Sequence, residues 1–73
     1  MEVNPTMMKI QLNGIPHLIE RPMTVRDLLG SIGFSGKPVV VELDGEAVFP
    51  RDYPVHWVGE GAQVEIVTLA AGG

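Results

Sequence analysis

The chain has 73 residues, of which 45% are hydrophobic and 19% charged, with nine acidic against five basic side chains, a formal net charge of -4 and no cysteine. A domain of this size buries only about 60% of its unfolded surface, enough for one modest core and too little for an internal substrate cavity. The apolar content excludes a disordered segment, no apolar run reaches the ~20 residues of a membrane span, the first residues lack the basic start and apolar stretch of a secretory signal, and disulfide staples are absent.

A cytoplasmic protein with no membrane partner is therefore expected. Nucleic-acid binding draws its affinity from clustered Lys and Arg, so an acidic chain is not expected to bind it. Such a chain suits docking against a basic or mixed cleft on a larger protein, where charge complementarity raises the encounter rate.

Residues 7–12 alternate, with Met8, Ile10 and Leu12 on one face and Lys9 and Gln11 on the other, and Asn13-Gly14 separates them from a second extended run at 15–20. Asn-Gly between two such runs predicts a two-residue hairpin. Beyond Arg21-Pro22, Thr24 is placed to cap a helix and Asp27 to return the bond as a capping box, with Met23 and Leu28 as the hydrophobic staple. Val25, Leu28, Leu29 and Ile32 form one apolar stripe at helical spacing, and Gly33 is placed to end the helix in a left-handed cap. Gly30 weakens that helix by about 1 kcal/mol relative to Ala.

Pro38 opens a β-branched run through Leu43, Asp44-Gly45 turns it into a short return strand at 46–49, and Pro50 stops the pairing. Residues 50–54 read as a turn, 55–58 as a single helical turn, Gly59-Glu60-Gly61 as a reversal and 63–69 as the last strand. The order strand, strand, helix, strand, strand, strand predicts an α+β domain in which one helix crosses one face of one sheet. The other face is left uncovered. Val67 and Leu69 share it with Glu65, which exposes them as an apolar patch unless the sheet curls enough to bury them.

No Gly-rich phosphate loop, paired-cysteine metal motif or cysteine nucleophile is present. His17 and His56 have no spacing that would put both on one metal, and each reads as a packed or surface histidine. Glu42, Asp44 and Glu46 recur at every second residue, as a solvated strand edge does; catalytic carboxylates need differing environments that a bare row does not supply. Tyr53 and Trp57 lack the basic groove that stacks single strands and read as core or rim packing. No catalytic residue, metal or bound cofactor is expected.

The remaining chemistry lies where the final apolar run passes through Ala70 and Ala71 into Gly72-Gly73. Two glycines without Cβ atoms can thread a channel too narrow for other residues and leave the last carbonyl open to attack. A carboxylate at Gly73 is unreactive until ATP converts it to an acyl-adenylate, and the enzyme doing so must bury the tail beside the nucleotide. Four extended residues reach about 13 Å, enough to enter a neighbouring active site while the body stays outside.

The element order, Asn13-Gly14, Thr24-Val25 with Leu28-Leu29, the run Val39 to Glu46 with Pro50-Arg51, and Gly72-Gly73 together resemble the ThiS family of β-grasp sulfur carriers, from Met7 or Met8 through Gly73. The resemblance implies a ubiquitin-like β-grasp domain with a mixed sheet of about five strands at 7–69, a short disordered extension at 1–6 and a flexible tail at 70–73. It implies that Gly73 is adenylated by a ThiF-like adenylyltransferase, which uses ATP, and becomes a thiocarboxylate that gives its sulfur to a ThiG-like thiazole synthase. A sulfur donor protein is a further implied partner. Gly72 would supply clearance, Val67 and Leu69 would dock, and the carrier would catalyse nothing itself. Two features depart from the family: Glu60-Gly61-Ala62 replaces its usual Asp-Gly-Asp turn, and the first five or six residues precede its usual start. MoaD-like carriers of molybdopterin synthesis, ubiquitin-like modifiers that form isopeptide bonds, and a non-covalent binding module are the alternatives.

Overall fold

Residues 7–69 are described in a computed structural model; the extension at 1–6 and the tail at 70–73, with Gly72 and Gly73, lie outside the described residues. β1 (Met8–Leu12) and β2 (Ile15–Ile19) form the expected antiparallel hairpin, Leu12 opposite Ile15. Asn13 and Gly14 both take positive φ, 54° and 80°, the type I′ geometry whose twist matches that of the strands. In such a hairpin Leu12 and Ile15 are the hydrogen-bonded pair, so Pro16 turns its missing N–H outwards. That denies a second chain one donor along the open edge of β2.

Helix α1 (Val25–Ser31) begins at Thr24, whose hydroxyl accepts the Asp27 N–H at 3.1 Å. It ends as predicted: Gly33 takes φ 90°, its N–H donates to the Gly30 carbonyl at 3.3 Å, and the Phe34 N–H donates to the Leu29 carbonyl at 2.8 Å. These two bonds satisfy carbonyls the helix would otherwise leave open, and they turn Phe34 back against the core. Val25, Leu28 and Leu29 are buried and Ile32 is half-buried, so the predicted stripe is the face laid on the sheet.

β4 (Val39–Leu43) and β5 (Glu46–Val48) form a second antiparallel hairpin, with Asp44 and Gly45 again at positive φ. β7 (Gln63–Thr68) completes a five-stranded mixed sheet in the order β2-β1-β7-β4-β5, parallel to β1 and antiparallel to β4. Ile10, Val41 and Val64 from three neighbouring strands are fully buried under Val25 and Leu28 of the helix, each such side chain contributing about 1.5–3 kcal/mol by leaving water.

One segment differs from the sequence expectation. The helical turn expected at 55–58 lies upstream, as a 3-10 turn at Pro50–Asp52, and Trp57–Val58 is instead β6, paired with β3 (Met23–Thr24) in a separate two-stranded sheet. Pro50 occupies the first position of the 3-10 turn, where its fixed φ and absent N–H cost nothing. Val58 then drops fully into the core, and the Val25 N–H donates to the His56 carbonyl at 2.9 Å. A long-range ladder and one buried valine thus outweigh the local turn pattern. No helix among the described residues is long and apolar enough to cross a membrane.

Candidate functional site

β7, the central strand, leads directly into the tail, and the turn residues of both hairpins grip it. At its start, Asp44 donates its N–H to the Gln63 carbonyl at 2.7 Å and accepts the Gln63 N–H on Oδ1 at 2.9 Å. Towards its end, the Ile66 N–H donates to Asn13 Oδ1 at 2.7 Å and Asn13 Nδ2 donates to the Ile66 carbonyl at 3.1 Å. A carboxamide carries a donor and an acceptor side by side, so Asn13 replaces one peptide unit of β1 at the point where β1 turns away. Leu69 then donates its N–H to the Pro38 carbonyl at 3.0 Å. The chain is thus held by hydrogen bonds up to the residue before Ala70.

Parallel pairing of β7 with β1 is likewise started by a turn. Gly61 donates to the Lys9 carbonyl at 2.9 Å and Glu60 Oε1 accepts the Lys9 N–H at 3.0 Å. Ala62, part of the Glu60-Gly61-Ala62 turn noted in the sequence, is buried in the core, where a carboxylate would be costly without a partner.

Side chains of β7 alternate: Val64 and Ile66 enter the core, while Gln63, Glu65 and Val67 face away from the helix. Val67 is 58% and Leu69 51% exposed, so the apolar patch exists and the sheet does not curl over it. Val40, directly opposite Val67 on β4 and 44% exposed, is a third member. The run Val39-Val40-Val41 hid it, because three β-branched residues in succession carry no sign of which one faces out. Beside this patch Glu42 and Glu65 stand opposite one another, both exposed, and no cation lies within ion-pair distance among the described residues. Like charges directly opposite weaken a sheet, by a few tenths of a kcal/mol in an exposed pair.

The other residues singled out in the sequence do not converge. His17 is half-buried on β2, and His56 is exposed ahead of β6. Asp44 is engaged with Gln63, leaving Glu42 and Glu46 as exposed strand residues, and no group of three His, Cys, Asp or Glu side chains is placed to hold a metal among the described residues. Tyr53 packs against the core, whereas Trp57 is 62% exposed because Val58 takes the inward position on that two-residue strand.

The fold agrees with what the chain is similar to. The ThiS family model matches residues 10–73. Among solved structures, the thiamine biosynthesis protein (ThiS) from Geobacter metallireducens superposes with a TM-score of 0.79 at 28% identity, covering 90% of this chain and 100% of that one. Proteins named thiazole synthase from Magnetococcus marinus and Paramagnetospirillum magneticum are 38% and 36% identical over 66 residues, 90% of this chain. The chain spans about a fifth of the length of these two relatives. With a family match over nearly all of its length and the β-grasp topology on which that family is built, this chain belongs to the ThiS family.

Proposed function

We propose that the chain is a sulfur carrier of thiamine biosynthesis whose Gly73 carboxylate is the carrying group. The observation that supports this most is that the family match runs through residue 73, so that Gly72-Gly73 belongs to the shared pattern. The carboxylate attacks the α-phosphate of ATP in a ThiF-like adenylyltransferase, releasing pyrophosphate and leaving a mixed anhydride. A persulfide on a donor protein then displaces AMP to form an acyl disulfide. A second thiol cleaves its S–S bond to leave a disulfide on the donor and a thiocarboxylate on Gly73, and that thiocarboxylate gives its sulfur to a ThiG-like thiazole synthase. A segment similar to this chain makes up a fifth of two proteins named thiazole synthase, which supports an acceptor of that activity. The carrier contributes no acid, base or nucleophile beyond its own terminus.

The described residues support the division of labour this requires. Hydrogen bonds hold the chain up to Leu69, and the four residues beyond reach about 13 Å into a partner. Val40, Val67 and Leu69 form the apolar centre of a docking face and Glu42 with Glu65 its acidic border, suited to a partner with an apolar patch flanked by cations. The direct test is pyrophosphate exchange: a ThiF-like enzyme should exchange labelled pyrophosphate into ATP only when the chain is present. Deleting Gly73 should abolish the exchange. Undiminished exchange with the truncated chain would refute the assignment of Gly73.

A further inference from the structure

On the helix side of the sheet, away from the docking face, a groove of about 550 Å³ is walled by Leu29, Phe34, Val39 and Tyr53, with Arg26 and Lys37 among its lining residues. Its size lies in the range of sites that bind ligands. Its charge is the reverse of the molecule's: two of the five basic side chains line it and no acidic side chain among the described residues does, in a chain of net charge -4. Among the described residues neither Arg26 nor Lys37 has an ion-pair partner; the pair formed is Arg51 with Asp52. The groove also adjoins the point where the tail begins, because Pro38, whose carbonyl holds the Leu69 N–H, is part of its wall.

Two occupants fit an apolar trough with cations beside it: the chain's own terminal carboxylate, or a carboxylate-bearing segment of another protein. Magnitudes decide between them. Any four-residue segment without structure of its own pays about 1–2 kcal/mol per residue to be ordered, whereas an exposed ion pair returns about 0.2–1 kcal/mol, so two such pairs alone do not offset that cost. A segment already ordered by its own protein avoids that cost and adds apolar burial on Phe34 and Tyr53. We infer that this groove binds an acidic, aromatic-bearing segment of a partner protein, as a second contact beside the outer sheet face. The carrier reading bears only on which protein supplies the segment; the chemistry of the groove stands without it.

A test uses the whole isotope-labelled chain and the capped peptide acetyl-Asp-Phe-Glu-Leu-amide, followed by NMR. Shifts are expected at Arg26, Leu29, Phe34, Lys37 and Val39, with binding weakened about fivefold or more for the Asn/Gln version of the peptide and for Arg26→Gln/Lys37→Gln. Both side chains are exposed, so these variants should fold normally, which their unperturbed amide spectra would verify. The inference is overturned by no shifts at millimolar peptide, by equal binding of the neutral peptide, or by shifts confined to Val40 and Val67. It is also overturned if deleting residues 70–73 moves the groove resonances without peptide, since the tail would then be the occupant. Gly73 chemistry plays no part in the titration, so its failure and that of the pyrophosphate-exchange test are separate results.

Discussion

Asn13 performs two tasks with one side-chain type. It accepts the left-handed φ of 54° that a type I′ turn demands, and its carboxamide extends the ladder to Ile66, 53 residues further along. The first task is legible in the dipeptide Asn13-Gly14; the second is not, because nothing local says which strand will lie beside the turn. The two separate experimentally. Asn13→Gly relaxes the turn but leaves the part-buried Ile66 N–H and carbonyl without partners, and should lower the unfolding free energy by about 1–3 kcal/mol in urea titration. Unchanged stability would mean that the turn geometry alone matters. Gly73 stands at the other extreme: its role is a proposal argued from the sequence, and its surroundings lie outside the described residues.

Whole secondary-structure elements follow the sequence where local signals agree with tertiary ones. Helix α1 has its cap, stripe and terminating glycine in register, so its bounds and buried face were legible. Residues 55–58 were not, because β6 exists only through its pairing with Met23–Thr24. The helix supplies a prediction of opposite signs. A Cβ added at either Gly30 or Gly33 meets open space, but only Gly33 has positive φ. Gly30→Ala should therefore stabilise by about 0.5–1 kcal/mol, and Gly33→Ala destabilise by about 1 kcal/mol, in thermal unfolding. The same sign for both would contradict the assigned cap. In the sheet, Glu42→Lys replaces a facing like-charge pair with an opposite one and should stabilise by a few tenths of a kcal/mol. The same change should slow association with a cationic partner face, and faster association would argue against the proposed acidic border.

As a molecule, the protein is a five-stranded mixed sheet whose central strand, β7, precedes residues 70–73. The α+β architecture with five strands and one helix was legible from hydrophobic alternation, two turn dipeptides and one capped helix. The placement of β7 between β1 and β4, and with it the patch of Val40, Val67 and Leu69, depends on parallel pairing that no local pattern encodes. Val67→Asp loses the facing Val40 and adds a third carboxylate beside Glu42 and Glu65, so it should cost up to about 1 kcal/mol of stability while weakening binding to the proposed adenylyltransferase by about tenfold or more. Wild-type affinity would remove Val67 from the docking face. The central claim is that Gly73 carries sulfur, and intact-mass measurement tests it directly after incubation with ATP, a sulfur source and the activating enzyme, followed by a thiol-alkylating reagent. The chain has no cysteine, so the mass gained on replacing oxygen by sulfur, which resembles oxidation of one of its four Met residues, is distinguished by alkylation. One alkyl group mapped to Gly73, and none on the chain lacking it, is the predicted result; a chain left unalkylated by an activating enzyme proven competent on another carrier would contradict it.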